Sequence, residues 1–521
     1  MVLNPMGEKD FVKKLAQQIN IPYIDLETAE IDPAATKYVS EKIARARKVV
    51  PISVSGNELH IAMADALDFQ TIDDIKVSSG LQVVPVLATS QAIEMALGRY
   101  YRGAEQAEKA LQELQQDDGE DTEKEFDASS ADIDSAPIVR IVNSILIEAV
   151  NMKASDIHIE PFENEVRVRI RVDGDLNEIM QLPKSTLSGI VTRIKIMADL
   201  NIAETKRPQD GRVKLKLENR WLLNMRISLL PTVFGEKTVI RLLNSSAGIL
   251  DKSELGLSPF NMAQVERLLK ISEGIILLTG PTGSGKSTTL YSMLKDFNTT
   301  DRNIITLEDP VEYQMFGVNQ VQVNTQVGMT FASGLRSILR QDPDIIMLGE
   351  IRDEETAEIA IRSAITGHIV LSTLHTNDTV SSVSRLVDMG IQRYMVTSAV
   401  AGIVAQRLLK RICPRCAESY TASEMERKEL GITTAAPLLL RRGKGCPFCG
   451  NTGYKGRTAI HEVFVLDQEM KSMINTNRTN EEIKERACQK GMKTLADSAR
   501  ELVLKGTTTV EEMLKATYAL E

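Results

Sequence analysis

Aromatic residues are scarce in this sequence: they make up 4% of its 521 residues, and Trp221 is the sole tryptophan. A basic stretch with aromatic side chains, on which nucleic-acid bases could stack, is therefore missing. Positive charge is not in excess either, because the formal net charge is −9. A field of that sign disfavours non-specific binding to nucleic acid, although it does not exclude one local basic groove.

Long hydrophobic runs are also absent. No stretch reaches the roughly 18 uninterrupted apolar residues that a membrane span needs. The first residues, "MVLNPMGEKDFVKKLAQQ", lack the apolar core and small-residue cleavage site of a signal peptide. We therefore expect a cytoplasmic protein whose association with a membrane depends on partners or on a surface helix. The composition, with 43% hydrophobic and 26% charged residues, is ordinary for a globular protein.

Cysteine is rare, but four of the five cysteines form two C-x-x-C pairs, Cys413/Cys416 and Cys446/Cys449. Each pair can place two thiolates on one face of a tetrahedral Zn²⁺ ion, and two pairs close a structural site. In a cytosolic protein such pairs indicate metal rather than disulfides. Four buried free thiols are the alternative, and a redox C-x-x-C is less favoured because there are two copies.

Composition and periodicity divide the chain into segments. The stretch "DDGEDTEKEFDASSADID" has too few apolar residues to offset its chain entropy, so we predict a flexible linker there. The runs "GIILLTG", "NIITLE", "DIIMLGE" and "HIVLSTLH" alternate with helical stretches, which predicts a largely parallel sheet covered on both faces. The predicted segments are an N-terminal α+β domain at 1–103, the acidic linker at 104–135, a strand-rich domain at 136–245, an α/β core at 255–410, the cysteine module at 411–460 and a helical region at 461–521.

A phosphate-binding loop is the clearest motif. The stretch "GPTGSGKS" fits the pattern G-x-x-x-x-G-K-[ST] between a predicted strand and a predicted helix. Lys286 can reach the β and γ phosphates of a nucleotide, and the Ser287 hydroxyl can ligate Mg²⁺. A chance glycine-rich turn is the alternative. The predicted nucleotide-binding residues are Gly280, Pro281, Thr282, Gly283, Ser284, Gly285, Lys286, Ser287 and Thr288.

Hydrolysis also requires a group that orients the attacking water. Candidates fall at or near predicted strand ends, where open α/β sheets place their sites. They are Glu308 with the adjacent Asp309, Glu350, and the histidines His368 and His375. A helix-capping carboxylate is the alternative for Glu350, and a hydrogen-bonded strand-end histidine is the alternative for His375.

Together, "TGPTGSGKSTTLY", "LEDPVEY", "LRSILRQDPDIIMLGEIRD", "TGHIVLSTLHTND" and "AQRLLKRICPRC" resemble the secretion and pilus-assembly ATPases of the GspE/PilB family. The resemblance runs from about residue 136 to the C-terminus and is looser before it. It implies a hexameric ATPase that uses ATP and Mg²⁺, with a RecA-like core preceded by a PAS-like α+β domain at 136–245. It also favours Zn²⁺ in the tetracysteine module.

The resemblance assigns roles to individual residues. Glu350 corresponds to the glutamate that polarises water, and Lys286 to the lysine that holds phosphate. Glu308 and His375 lie in segments that resemble the family's acidic and histidine boxes. Arg226 and Arg241 correspond to arginines that reach the nucleotide from the preceding domain.

Two positions depart from the family pattern. Asn224 stands where we expect an acidic residue close to Arg226. Gly349 stands where an ordinary Walker B strand ends in aspartate, so direct Mg²⁺ ligation at that position is not expected.

The resemblance implies a motor that moves an inner-membrane platform protein to assemble a type IV pilus or a type II secretion pseudopilus. The N-terminal domain is expected to dock the cytoplasmic domain of an inner-membrane assembly protein, which would hold the motor at the inner face of the membrane. Two alternatives are a RecA-like nucleic-acid motor with a zinc ribbon and a nucleotide-gated adaptor that barely hydrolyses ATP. A retraction motor is disfavoured, because that branch typically lacks the tetracysteine module.

Some family members bind cyclic di-GMP through paired N-terminal motifs that open with Arg-Leu-Gly. Phe11, Leu15 and Gln18 fit the helical ending of one such motif, but no Arg-Leu-Gly precedes them here. The same spacing also fits a packed amphipathic helix. We therefore expect no tight binding of cyclic di-GMP.

Overall fold

The computed structural model describes the single positions 12, 16, 35, 38, 39, 92, 93, 96 and 97 and the ranges 21–26, 41–90 without 56, 57 and 67, 137–217, 221–243, 249–433 and 436–517. The predicted linker at 104–135 lies outside these residues, as do Phe11, Leu15 and Gln18. The chain forms two compact units, Met1–Leu243 and Asn244–Glu521.

The N-terminal part of the first unit contains a small three-stranded sheet. Its strands β1 and β2 pair antiparallel, and β2 pairs with β3 in parallel. Leu59 and Ile61 of β2 are fully buried beneath it. The elements are helix α1 (Glu41–Arg47), strands β1 (Val49–Ser55) and β2 (Glu58–Met63), helix α2 (Phe69–Ser79) and strand β3 (Gln82–Leu87).

Residues 137–243 fold into an antiparallel sheet with two helices. The strand order is β6-β5-β4-β9-β8-β7. In β5, Val166, Val168 and Ile170 are fully buried while the arginines between them are not, which is the alternation of a sheet with one covered face. The elements are α3 (Pro137–Asn151), β4 (Asp156–Pro161), β5 (Glu165–Val172), β6 (Asp175–Pro183), α4 (Thr186–Met197), β7 (Gln209–Leu217), β8 (Trp221–Thr232) and β9 (Gly235–Leu243).

The second unit is built on a seven-stranded sheet in the order β12-β11-β13-β14-β10-β15-β18. Its strands are β10 (Gly274–Thr279), β11 (Ile304–Glu308), β12 (Asn319–Gln322), β13 (Ile345–Leu348), β14 (Ile369–Leu374), β15 (Val400–Ile412) and β18 (Tyr454–Val465), with β16 (Ala417–Thr421) and β17 (Leu439–Gly443) as a separate hairpin.

Helices cover both faces of this sheet. The helices of the second unit, including α11 between the two strands of the separate hairpin, are α5 (Pro259–Leu268), α6 (Lys286–Phe297), α7 (Phe331–Ile338), α8 (Glu354–Ile365), α9 (Thr379–Asp388), α10 (Arg393–Ala399), α11 (Glu424–Glu429), α12 (Gln468–Asn475), α13 (Asn480–Gln489), α14 (Leu495–Leu504) and α15 (Val510–Thr517). Across the described ranges, no helix is both long enough and apolar enough to cross a lipid bilayer.

The central strands are buried on both faces. In β10, Ile275 and Leu277 join one hydrophobic core, and Ile276 and Leu278 join a second core on the opposite face. Successive side chains of a strand point to opposite faces, so a continuous apolar run fits this position. The four strands predicted from apolar runs are β10, β11, β13 and β14, which pair in parallel. The predicted α/β fold is confirmed.

Strands β15 and β18 were not among the sequence predictions. Strand β15 pairs in parallel with β10 on one side and antiparallel with β18 on the other. Its sequence, "VAGIVAQRLLKRI", includes charged and amide side chains and does not read as a buried strand. The two strands run outward into the segment that carries the cysteine pairs.

Candidate functional site

The glycine-rich loop connects β10 to α6 at the carboxyl end of the sheet. Gly280, Gly283 and Gly285 have φ angles of +149°, +80° and +89°. A Cβ atom on Gly280 would lie 2.5 Å from the backbone oxygen of Gln406, and one on Gly285 would lie 2.7 Å from the side-chain nitrogen of the same residue. Both positions therefore require glycine. The N-terminus of α6 follows directly and offers a positive dipole end to an anion.

Lys286 is the first residue of α6 and is mostly buried. Its Nζ donates hydrogen bonds to the backbone oxygens of Gly280, at 2.7 Å, and Pro281, at 3.1 Å. Burial lowers the pKa of Lys286 to about 8, and the charge of Glu350 opposes this shift. A bound phosphate would supply the counter-charge that stabilises the protonated lysine in this buried place.

Gln406 of β15 supports the loop from the side, and neither it nor the adjacent Arg407 was predicted from the sequence. Nε2 of Gln406 donates to the backbone oxygen of Ser284 at 2.9 Å, and Oε1 accepts from the Thr289 hydroxyl at 2.7 Å. Nη2 of Arg407 donates to the backbone oxygen of Asn377 at 2.9 Å. The one available signal was the motif "AQRLLKRICPRC", which carries both residues but does not reveal the parallel pairing of β15 with β10.

Glu350 and His375 meet beyond the ends of the neighbouring strands β13 and β14. Nε2 of His375 lies 3.2 Å from Oε2 of Glu350, and Arg352 forms an ion pair with Oε1. Burial acts to raise the pKa of Glu350, but Arg352 and His375 outweigh it and hold the pKa below its ordinary value. The carboxylate is therefore ionised at neutral pH, with Arg352 at one oxygen and His375 at the other.

Glu308, at the end of β11, is buried with 3% of its surface exposed. Its carboxylate accepts hydrogen bonds from the hydroxyl groups of Tyr291 and Thr306 and from the side-chain amide of Gln320. Burial raises its pKa. These contacts tie β11 to α6 and to β12, and they direct both carboxylate oxygens toward protein donors.

Arg226 and Arg241 lie opposite one another on the paired strands β8 and β9 of the first unit. Nε of Arg241 donates to Oδ1 of Asp156 at 3.0 Å, and more than half of its side chain, 56%, is exposed. Arg226 is exposed, and Asn224 lies on the same strand two residues earlier. The phosphate loop belongs to the second unit.

The four paired cysteines converge on one point, and their sulfur atoms all lie within 4.8 Å of one another. The separations are 3.8 Å between Cys413 and Cys446, 3.9 Å between Cys416 and Cys449, and 3.7 Å between Cys446 and Cys449. Zn–S bonds of about 2.3 Å in a tetrahedron give S···S edges of about 3.8 Å. The donor set therefore fits a tetrahedral zinc ion.

Backbone donors support this cluster. The N–H groups of Cys446 and Gly453 donate to Sγ of Cys449 at 3.2 Å and 3.3 Å. Burial acts to raise the pKa of Cys449, but these donors, together with the side chains of Cys446 and Cys416, outweigh it and lower the pKa to about 7. Such N–H donors favour a thiolate, which is the form that binds metal.

Two family models match the chain. The family described as Type II/IV secretion system protein matches residues 131–515, and the MshEN domain matches residues 19–107. The first match covers most of the second unit and all the described residues of the sheet at 137–243.

Individual proteins are similar along much of the chain. The type IV pilus assembly ATPase PilB of Thermus thermophilus is 42% identical over 96% of this chain, which spans 57% of that protein's length. Type II secretion system protein E of Pseudomonas aeruginosa is 48% identical over 74% of this chain, and the match covers 76% of that protein's length. Among solved structures, the pilus retraction motor PilT with bound ADP has a TM-score of 0.50 and 26% identity, covering 72% of this chain and 96% of its own.

Proposed function

Because the chain belongs to the type II/IV secretion system protein family, we propose that it is an ATPase that powers assembly of a type IV pilus or a type II secretion pseudopilus. The observation that carries the proposal is the meeting of the phosphate loop, the Glu350–His375 pair and the ends of strands β10, β13 and β14 at one edge of the sheet. Relatives named for each machine match the chain at similar identity, and they do not favour a nucleic-acid motor.

In this proposal the residues from Gly280 to Thr288 hold the phosphates of ATP, with Lys286 at the β and γ oxygens. The Ser287 side chain is exposed at the start of α6 and would ligate Mg²⁺, which neutralises phosphate charge when bound. Glu350 orients the attacking water, and His375 fixes the carboxylate from its second oxygen. A positioned carboxylate of this kind typically contributes on the order of 10²–10⁴ in rate.

In this proposal Glu308 has a structural role and not the catalytic role that its motif suggests. Its carboxylate is buried among Tyr291, Thr306 and Gln320. We therefore assign it to holding β11 against α6, so that it shapes the site without contacting ATP.

Arg226 and Arg241 are proposed to approach the nucleotide through domain closure or from a neighbouring subunit of a hexamer. Their planar guanidinium groups suit the charge that develops on a transferring phosphoryl group. Asp156 contacts the exposed side chain of Arg241 at Nε, and we propose that the two terminal nitrogens contact a phosphate.

Zn²⁺ in the tetracysteine module is proposed to be structural, because four thiolates leave no open coordination position. It would fix the end of β15, since Cys413 directly follows that strand. It would also fix the start of β18, since Gly453, which directly precedes β18, donates its N–H to Sγ of Cys449.

The partners proposed are an inner-membrane platform protein and the cytoplasmic domain of an inner-membrane assembly protein, which place the motor at the inner face of the membrane. Residues 1–103 are proposed as the docking domain, without tight binding of cyclic di-GMP.

The proposal is tested by measuring ATP hydrolysis by the full chain in three conditions: alone, with the reconstituted platform protein, and with single-stranded DNA. We expect the platform protein to stimulate ATP hydrolysis and DNA to change the rate by less than twofold. Stimulation by DNA alone, or no hydrolysis in any condition, would contradict it.

A further inference from the structure

The guanidinium group of Arg352 is the feature of the site that has no role so far. We propose that Arg352 is the sensor of the terminal phosphate: it pairs with Glu350 while the site lacks nucleotide and transfers to the γ-phosphate when ATP binds. The inference rests on the proposed ATPase function and adds the residue by which the site distinguishes ATP from ADP.

The carboxylate of Glu350 is occupied on both sides. One oxygen accepts from Nη2 of Arg352 and the other faces Nε2 of His375 at 3.2 Å. Only 13% of the Glu350 side chain is exposed. Two cationic or donor groups on one carboxylate lower its basicity and fill its best hydrogen-bonding directions, so the group is poorly prepared to orient water until one of them leaves.

The backbone around Arg352 is anchored on both sides, whereas most of its side chain is exposed. Ile351 is buried, and its N–H donates to the backbone oxygen of Thr373 at 3.1 Å. The carboxylate of Asp353, on the other side, caps α8 by accepting from the N–H of Thr356 at 2.8 Å. The Arg352 side chain between these anchors is 64% exposed. A long side chain on an anchored backbone can exchange acceptors without moving the sheet.

The phosphate loop lies within the same group of strand ends. The Thr279 hydroxyl, at the base of the loop, donates to the backbone oxygen of Thr376 at 2.9 Å and accepts from the Thr376 N–H at 3.0 Å. His375, the neighbour of Thr376, contacts Glu350, and Glu350 contacts Arg352. Contacts therefore run without interruption from the loop to the guanidinium.

ATP changes the balance of acceptors for Arg352. The ion pair with Glu350 is open to solvent on its Arg352 side, where the guanidinium can exchange one acceptor for another. A terminal phosphate offers arginine two parallel charge-assisted hydrogen bonds and carries more charge than one carboxylate. Transfer of the guanidinium to the phosphate makes these two hydrogen bonds and frees Oε1 of Glu350 for the attacking water.

ADP lacks the terminal phosphate and offers Arg352 no new acceptor there, so Arg352 stays paired with Glu350 when ADP binds. The pair would then re-form after phosphate release, and the carboxylate would return to its resting contacts. The sensor therefore predicts an effect on ATP-like nucleotides that is absent for ADP.

The test compares Arg352→Ala and Arg352→Lys in the full chain with the wild type. Affinities are measured by fluorescence with mant-ADP and mant-AMPPNP, and kcat and KM are measured with ATP. We expect Arg352→Ala to lower the affinity for mant-AMPPNP about tenfold and to change the affinity for mant-ADP by less than twofold. We also expect it to lower kcat at least tenfold. Arg352→Lys is expected to fall between the wild type and Arg352→Ala, because lysine keeps the charge but loses the bidentate fork.

The matched control is Arg362→Ala, since Arg362 also forms an exposed pair with a glutamate, Glu358, at 2.6 Å on α8. It should change neither affinity nor kcat by more than twofold. Equal weakening of both nucleotides by Arg352→Ala, or no change in either, would overturn the sensor. A wild-type chain that neither binds nor hydrolyses ATP would instead overturn the proposed function, so the two failures are distinguishable.

Discussion

The side-chain amide of Gln406 donates a 2.9 Å hydrogen bond to the backbone oxygen of Ser284, in the middle of the phosphate loop. The other end of the same side chain accepts from Thr289 on α6. One buried residue of β15 thereby holds the loop and the helix that follows it at a fixed separation. Burial of Gln406, which is 3% exposed, removes competition from water for both hydrogen bonds.

Replacement of Gln406 by alanine is therefore expected to weaken ATP binding, raising KM about tenfold, because the loop loses its lateral support. An unpaired buried acceptor also costs about 1–3 kcal/mol in the free energy of unfolding. Steady-state kinetics and thermal unfolding measure the two effects. Thr289→Val removes only one of the two hydrogen bonds and should give a smaller rise in KM. An unchanged KM for Gln406→Ala would contradict the supporting role.

Glu350→Gln should preserve nucleotide binding and reduce turnover by about 10²–10⁴-fold, because it removes the charge that orients water and keeps the side-chain volume. Lys286→Ala should instead abolish binding or turnover, since it removes a direct phosphate contact. Nucleotide binding and phosphate release are measured side by side. Glu358→Gln, an exposed glutamate on α8, is the control. Wild-type hydrolysis by Glu350→Gln would refute its assignment.

The cysteine cluster predicts about one zinc ion per chain. Cys446→Ser should release the metal and destabilise the module locally, because formation of such a site is coupled to folding. Elemental analysis of protein purified under reducing conditions gives the metal content. Cys488→Ser is the matched control, since Cys488 lies on α13 outside the cluster. Absence of zinc from the wild-type protein would show that the four sulfur atoms are free thiols.

A ring in which Arg241 acts across a subunit boundary predicts coupling between different chains. Mixing Arg241→Ala protein with Lys286→Ala protein should give ATPase rates that depart from the sum of the two separate rates. Arg207→Ala, which changes an 84%-exposed arginine of the same unit, is the control for mixing. Light scattering in the presence of ATP and Mg²⁺ should detect a hexamer. Strictly additive rates together with a monomer would argue against the ring.

Calorimetry with cyclic di-GMP tests the N-terminal prediction. We expect no binding at micromolar concentrations, because the printed residues before Phe11 contain no Arg-Leu-Gly. Titration of the full chain gives the answer directly, and titration with ATP confirms that the same preparation is active. Binding at micromolar or lower concentration would show that other residues hold the dinucleotide.

The sequence by itself determined the features whose chemical groups lie close together along the chain. The phosphate loop is one, since eight consecutive residues carry the glycines, Lys286 and Ser287. The apolar runs of β10, β11, β13 and β14 are another, because strands buried on both faces need continuous apolar sequence. The C-x-x-C spacing likewise determined each half of the cysteine cluster.

Tertiary structure decided the features that depend on which strands are neighbours and in what register. Gln406 reaches Ser284 only because β15 pairs with β10, and His375 meets Glu350 only because β13 lies beside β14. The motif around Glu308 suggested a catalytic carboxylate, whereas packing of α6 against β11 buries that carboxylate among protein donors. Pairing between distant strands depends on the free energy of the whole core, which no local stretch of sequence encodes.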